Sequence, residues 1–395
     1  MSGSFHADIL VSGAGMVGAT LGLALALDGL QVALAERRNR EQCLAGDLHE
    51  RCSLVNTGAS QFLESLGIPV SRLGIPVERM RVWDAEHAGS IQLDAADAGA
   101  SFLGYIVENR RLEQALHQRL QEMEVPLLYG TRLEHQHTGP QSSVLSDSHG
   151  ALYHTTLLAI AEGRQSTLRR TLFRASVFGE DYRQEAITAT IWTERPHGGT
   201  AYQRFLPDGP LALLPFTNGP DGEYRTSMVW SARRPLARKL MALETPAFLE
   251  HLQQAFGPQL GRLTRMGTRG SHPLSAMHVN RYVGDRVVLL GDSAHGVHPL
   301  AGLGVNLGFR DAAALRQTVS AARSAHQDWG NAKILETYQR LRRPDNLVTV
   351  FACSVLNHLF TNRSRTLASL RDLGMLGTAM TPRLRRFFIQ QAIVL

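Results

Sequence analysis

The sequence predicts an α/β protein in which a helix-flanked parallel sheet carries an inserted antiparallel sheet and ends in a helical segment. Three observations predict it. The chain opens on an apolar run, a glycine-rich turn, a helical pattern and a second apolar run, all within residues 8–36. Two later apolar runs, Thr155 to Ala161 and Val287 to Leu290, also stop at turns that hold glycine and a carboxylate. Between them, from Tyr182 to Trp230, short segments rich in Thr, Ile, Tyr, Phe and Trp are split by Pro and Gly. Continuous apolar runs suit strands covered on both faces, and short segments cut by turn residues suit antiparallel strands.

The opening predicts a strand over Asp8 to Ser12, a helix over Ala19 to Leu27 and a strand over Gln31 to Ala35. Gly13-Ala14-Gly15-Met16-Val17-Gly18 joins the first two. This is a Rossmann-like dinucleotide fingerprint: Gly13 permits the tight turn, Gly15 the approach of a pyrophosphate and Gly18 close helix packing. Glu36 ends the second strand where a ribose hydroxyl can be bound, with Arg37 beside it. An NAD-dependent dehydrogenase opens in the same way, so the fingerprint leaves the dinucleotide open.

Arg51 follows in a loop, and Ser60 to Leu66 reads as a helix stopped by Gly67. Glu108 and Asn109 start a helix running to about Glu122, with Arg110 and Arg111 both placed to meet an anion. Glu162-Gly163-Arg164 closes the Thr155 to Ala161 strand. Thr245 to Phe256 is a connecting helix, and His272-Pro273-Leu274 leads back toward the last apolar run. That run ends at Gly291-Asp292, a carboxylate at the edge where open α/β sheets bind ligands. Pro299, Gly302, Leu303 and Gly304 form the next turn, and a helix over Val305 to Leu315 carries Asn306. Beyond it, Glu336 to Arg343 is a basic segment, Asn346 to Phe360 has an apolar face, and Leu367 to Leu376 reads as a short helix. The division expected is a nucleotide-binding part (1–75, 102–178 and 279–330), a sheet part (76–101 and 179–278) and a helical part (331–395).

Composition narrows the function classes. The 395 residues are 44% hydrophobic and 19% charged, an ordinary globular balance with room for more than one core. Net charge is +6, and lysine appears only at Lys239 and Lys333, so the basic side chains are almost all arginine. Arginine suits phosphate. No nucleic-acid-binding module is visible. Cys43, Cys52 and Cys353 are odd in number and lack metal-ligand spacing, which points to a reduced, cytoplasmic compartment and no bound metal. The apolar N-terminus has no Lys or Arg before Arg37, unlike a secretory leader, and no run is long enough to span a membrane. The end, Pro382 to Leu395, joins an arginine cluster to an apolar tail. Such an end suits an anionic inner-membrane surface or a partner enzyme, or equally a terminal helix packed on the body.

The Gly291-Asp292 segment, with His295, His298-Pro299-Leu300-Ala301-Gly302, Gly304 and Asn306-Leu307-Gly308, resembles the GD motif of the flavoprotein aromatic hydroxylases, the p-hydroxybenzoate hydroxylase fold. Within that fold it looks like the ubiquinone-biosynthesis branch, as does Gln203 to Ala212. Leu303 stands where that branch usually has Gln. Glu162-Gly163-Arg164 resembles the family's DG motif, with Glu in place of the usual Asp. The resemblance covers nearly the whole chain. It implies an FAD-binding domain with an inserted substrate sheet, FAD as cofactor, NAD(P)H as reductant and O₂ as co-substrate. It also implies transfer of one oxygen atom from a C4a-hydroperoxyflavin to an aromatic ring, here a polyprenylated phenol or quinol. On this reading Gly13, Gly15, Gly18, Glu36, Arg37, Arg51, Arg110, Glu162, Gly163, Arg164, Gly291, Asp292, Pro299, Gly302, Leu303, Gly304 and Asn306 surround the cofactor. The flavin carries the chemistry and no side chain is an essential base, so His295 is expected to brace the turn and His298 to pack. Hydroxylation of another aromatic, and an inactive scaffold on the same fold, are the competing readings.

Overall fold

In the computed structural model, residues 4–45, 51–84, 90–173, 176–298 and 303–361 are described. The first sheet is built on Ser4–Ser12, which runs parallel to Val32–Glu36 on one side and to Leu152–Ile160 on the other. Leu127–Tyr129 and Val287–Leu289 extend it in parallel at either side, and Val283–Gly284 closes one edge antiparallel. The strand residues are fully buried aliphatics such as Ile9, Val11, Leu34, Leu158 and Val288. Both faces are covered because crossovers between parallel strands place helices there. The Met16–Leu27 helix is apolar all round and buried from Gly18 to Leu25 between this sheet and the Asn109–Glu122 and Leu303–Ser324 helices.

A second sheet runs in the order His295–Gly296, Gly270–Val279, Val177–Thr193, Arg225–Arg233, Gly209–Pro215, Thr200–Leu206, Arg79–Asp84 and Ser90–Asp94. Its pairs are antiparallel except for Thr200–Leu206 against Arg79–Asp84, which is parallel. One face carries Ile187, Ala189, Ile191, Leu211, Leu213, Met228 and Trp230, and these pack on the Arg234–Ala242 and Thr245–Phe256 helices through Leu240, Phe248, Leu252 and Phe256. Burying each such side chain stabilises the fold by about 1.5–3 kcal/mol. Cys52–Asn56, Gly104–Glu108 and Gly74–Val77 form a small third sheet.

The element types agree with expectation and several boundaries move. The Thr245–Phe256 helix matches in full. The first helix begins at Met16, directly on the glycine turn, and the helix expected from Val305 runs Leu303–Ser324. The stretch from Tyr182 to Trp230 is split into antiparallel strands at its Pro and Gly turns as expected, but the first of them is longer, a 17-residue strand, Val177–Thr193, that starts ahead of Tyr182. The segments on either side of Pro344 form one 30-residue helix, Ala332–Thr361. Asp311, Arg342 and Asn346 bond to one another across this region, and that packing outweighs the donor lost at proline. Pro299 and Gly302, the Leu367 to Leu376 helix and the Pro382 to Leu395 tail lie outside the described residues.

Candidate active site

Strand register brings the three glycine-and-carboxylate turns together. Ser12 pairs with Ala35 and with Ile160, and Ile160 pairs with Leu289, so four parallel strands end side by side. From that edge a cleft of about 540 Å³ opens, and Gly15, Gly163, Arg164, Asp292 and Gly304 all line it. This is the carboxyl edge at which open α/β sheets bind ligands.

The glycines divide by role. A Cβ on Gly13, where φ is +100°, would lie 2.5 Å from the Ala161 carbonyl, and one on Gly18 would overlap the Gly13 carbonyl. Both are needed for the turn to close. A Cβ on Gly15 would meet nothing within 4 Å. Gly15 caps the Met16–Leu27 helix without any side-chain hydrogen bond, so the first-turn amides open on the cleft. Donors without a capping side chain beside free space fit a pyrophosphate. The turn is braced from behind by His117, whose Nε2 donates to the Ala14 carbonyl at 2.6 Å while Tyr129 donates to its Nδ1 at 3.0 Å. Neither residue carries a motif that sequence reading could use.

Glu36 is buried and accepts from the Ala14 amide at 3.1 Å and from Arg38 through its amide and Nε at 3.0 and 3.1 Å. Burial alone raises its pKa, but the Arg38 bonds outweigh it and hold the carboxylate below its usual range. The arginine at this corner is therefore Arg38, which also reaches Glu113; Arg37 is exposed. The chain has left the strand here, so the second residue past Glu36 folds back and the first does not.

Glu162 likewise differs from expectation. It accepts from Ser12 Oγ at 2.7 Å and Ser166 Oγ at 2.6 Å, and from the Thr167 and Leu168 amides at 2.9 and 3.2 Å. The carboxylate caps the Thr167–Leu172 helix and does not line the cleft. Arg164 does line the cleft, and it donates to Asp292 Oδ2 at 3.0 Å, the Ser275 carbonyl at 2.6 Å and the Val297 carbonyl at 2.9 Å. The Gly163 amide donates to Ser293 Oγ at 3.0 Å, tying the second turn to the third. Asn306 does not line the cleft. Its side chain spans to the Leu54 carbonyl at 2.7 Å and the Asn56 amide at 3.0 Å, clasping the Leu303–Ser324 helix to the small sheet.

Arg51 lines the cleft. Arg110 is exposed outside it and Arg111 pairs with Glu108 at 2.9 Å, so of that segment it is Asn109, holding Ser53 Oγ at 2.7 Å, that faces the cleft. Gly291, at φ +57°, donates its amide to Asp311 Oδ2 at 2.9 Å. His295 Nε2 lies 2.5 Å from the same oxygen and braces the turn as expected. His298 is wholly buried outside the cleft lining, 3.2 Å from Gln184 and edge-on to Tyr182. Burial, with the nearby charge of Arg164, pushes its imidazole down to about 3.

The far wall is the second sheet's other face. Register aligns Ala186 with Ser231 and His272, and Thr188 with Val229, which aligns with Ala212 and then Gln203. All of these line the cleft, with Leu214, Ala201, Met80 and Tyr202. The side chains are small and mostly apolar, leaving flat room over the sheet. Among the described cleft-lining residues, His272 alone carries an imidazole.

A dinucleotide cleft walled by the carboxyl edge of a parallel sheet and by an apolar antiparallel sheet defines an FAD-dependent monooxygenase. The chain belongs to that family: the FAD binding domain model matches residues 6–348. It is 35% identical to the ubiquinone hydroxylase UbiL of Rhodospirillum rubrum, over 98% of this chain and 89% of that one. It is 31% identical to the 3-demethoxyubiquinol 3-hydroxylase of Escherichia coli over 98% of both. In structure it is similar to PqsL, a probable FAD-dependent monooxygenase of Pseudomonas aeruginosa, with a TM-score of 0.78 at 23% identity over 94% of this chain and all of that one.

Proposed function

We propose that the chain hydroxylates the aromatic ring of a polyprenylated phenol or quinol in ubiquinone biosynthesis, with NAD(P)H and O₂. The observation that carries this reading is the pairing of a dinucleotide cradle with a flat apolar sheet face in one cleft, in a chain 35% identical to a ubiquinone hydroxylase. FAD, reduced by NAD(P)H, supplies the activated oxygen when bound.

The chain's residues contribute position and exclusion of water. The amides after Gly15 would hold the pyrophosphate, Glu36 with Arg38 the ribose end, and Arg51, Asn109, Gly163, Asp292 and Gly304 the remainder of the cofactor. Ala186, Val229, Ala212 and Leu214 would cover the aromatic ring and keep water from the reacting atoms. No side chain is assigned as an essential base. His298 is neutral and shut away from the cleft, and His272 stands on the substrate wall.

The test is complementation. Expressed in a bacterium lacking one ubiquinone ring hydroxylase, the chain should restore ubiquinone and clear the prenylated precursor from lipid extracts. Unchanged precursor in every such strain, with flavin bound, would assign the enzyme to another aromatic.

A further inference from the structure

The Ala332–Thr361 helix leaves an apolar face uncovered in its second half. Leu341, Pro344, Leu347, Val348, Phe351, Ala352, Val355 and Leu356 are exposed, with Val348 and Phe351 each at 67%. Residues 341, 344, 348, 351 and 355 recur at intervals of three and four, which places them in one stripe. No charged residue is exposed between Leu341 and Asn357, since Arg342 is buried and Arg343 and Asp345 are half-buried. An apolar surface of this extent marks an interaction site.

Two observations indicate what covers it. The stripe runs into the wall of the cleft: Phe360 stacks on Phe205 with ring centroids 3.6 Å apart, and Leu359 joins Val82 and Ile91 in the same cluster. Phe205 is the register partner of Pro210, which lines the cleft. The second observation is charge. The 34 residues that follow Thr361 contain six arginines and a single acid, Asp372. An uncharged apolar stripe followed in the sequence by a cationic segment matches a bilayer with anionic headgroups.

We propose that this stripe seats the enzyme on an anionic lipid surface, with the outer end of the cleft turned toward the bilayer. The proposal deepens the reading above by naming where a prenylated substrate is met, and it rests on that reading for the substrate. Vesicle binding is measured without turnover, so either can fail while the other stands.

The full-length holoenzyme should co-float with phosphatidylcholine vesicles containing about a third phosphatidylglycerol, and much less with phosphatidylcholine alone. The triple substitution Val348→Gln, Phe351→Gln and Val355→Gln should keep its flavin and its activity on a water-soluble phenol, yet bind at least about fivefold less. Equal binding by the triple variant, or no binding by the wild type, would overturn the proposal. Loss of a dimer in light scattering without vesicle binding would assign the stripe to a second copy. A second variant, Phe351→Trp, reads the position directly. Its added fluorescence should be quenched by brominated lipid. Emission already blue-shifted and insensitive to brominated lipid would mean that the chain's own C-terminal segment covers the stripe, against the proposal.

Discussion

Arg342 donates through Nε to Asp311 Oδ1 at 2.9 Å, and Asp311 has no exposed surface. The same carboxylate accepts from Asn346 Nδ2 at 3.1 Å and from the Gly291 amide at 2.9 Å, so it fastens the cleft turn to the Ala332–Thr361 helix. Burial opposes its charge, but His295 and Arg342 prevail and hold the carboxyl at about 2. Asp311→Asn leaves Arg342 buried with only the half-exposed Asp345 opposite. Removing one member of a buried pair costs about 3–5 kcal/mol. The urea midpoint should fall accordingly, with flavin content, and a loss under 1 kcal/mol (about the value of a surface pair) would refute the fastening role.

Gly15 and Gly18 should separate binding from folding. Gly15→Val finds open space at an ordinary φ of −67°, so it should fold and yield colourless protein that FAD does not reconstitute. Gly18→Val meets the Gly13 carbonyl and should give insoluble protein. Yellow Gly15→Val would remove the pyrophosphate from this turn.

Val229→Asp puts a carboxylate in the centre of the apolar wall. Water drawn in by the charge should raise the H₂O₂ released per NAD(P)H oxidised and lower hydroxylated product. Unchanged coupling would place the substrate ring elsewhere.

His272→Gln tests whether a side-chain base is needed. Loss of an essential base lowers turnover by about 10²–10⁴-fold. If the flavin alone suffices, the drop should stay within about tenfold. A larger drop with a lost acidic limb in the pH profile would make His272 the base.

His298 predicts an acid weakness. Its folded pKa, about 3, lies below the ordinary 6.5. Between those values the unfolded chain binds a proton that the folded chain refuses, so stability rises with pH across that window. Going from pH 7 to 5 should cost roughly 2 kcal/mol at this residue. His298→Asn should flatten that part of the Tm profile. His278, pushed down to about 4 mainly by burial, accounts for a similar slope that the variant leaves in place.

The parts legible in the sequence are those fixed by local period and turn chemistry. The βαβ opening and the Thr245–Phe256 helix are of this kind. Glu162 reads from its motif as a cleft residue, but one of its oxygens is taken by the local Ser166, Thr167 and Leu168 donors and the other by Ser12, 150 positions away. The sequence points to Arg37, the residue next to Glu36, whereas Arg38 is the one that folds back, because the direction of each side chain depends on where the strand ends. The parallel pairing of Thr200–Leu206 with Arg79–Asp84 leaves no trace in either segment. Asp311, inside a helix with no motif around it, reads as a surface acid until Arg342 and His295 close on it.

The Ala332–Thr361 helix grips both large sheets: the first through Tyr338, which donates to the Leu289 carbonyl at 2.9 Å, and the far wall through Tyr182 with Ser354 and Phe205 with Phe360. The two walls of the cleft are thus bolted along one side. Any gaping that admits a bulky guest must swing about that seam, as a book opens from its spine. At Pro344 the seam lacks one N–H, which makes that turn of helix the place where it can flex.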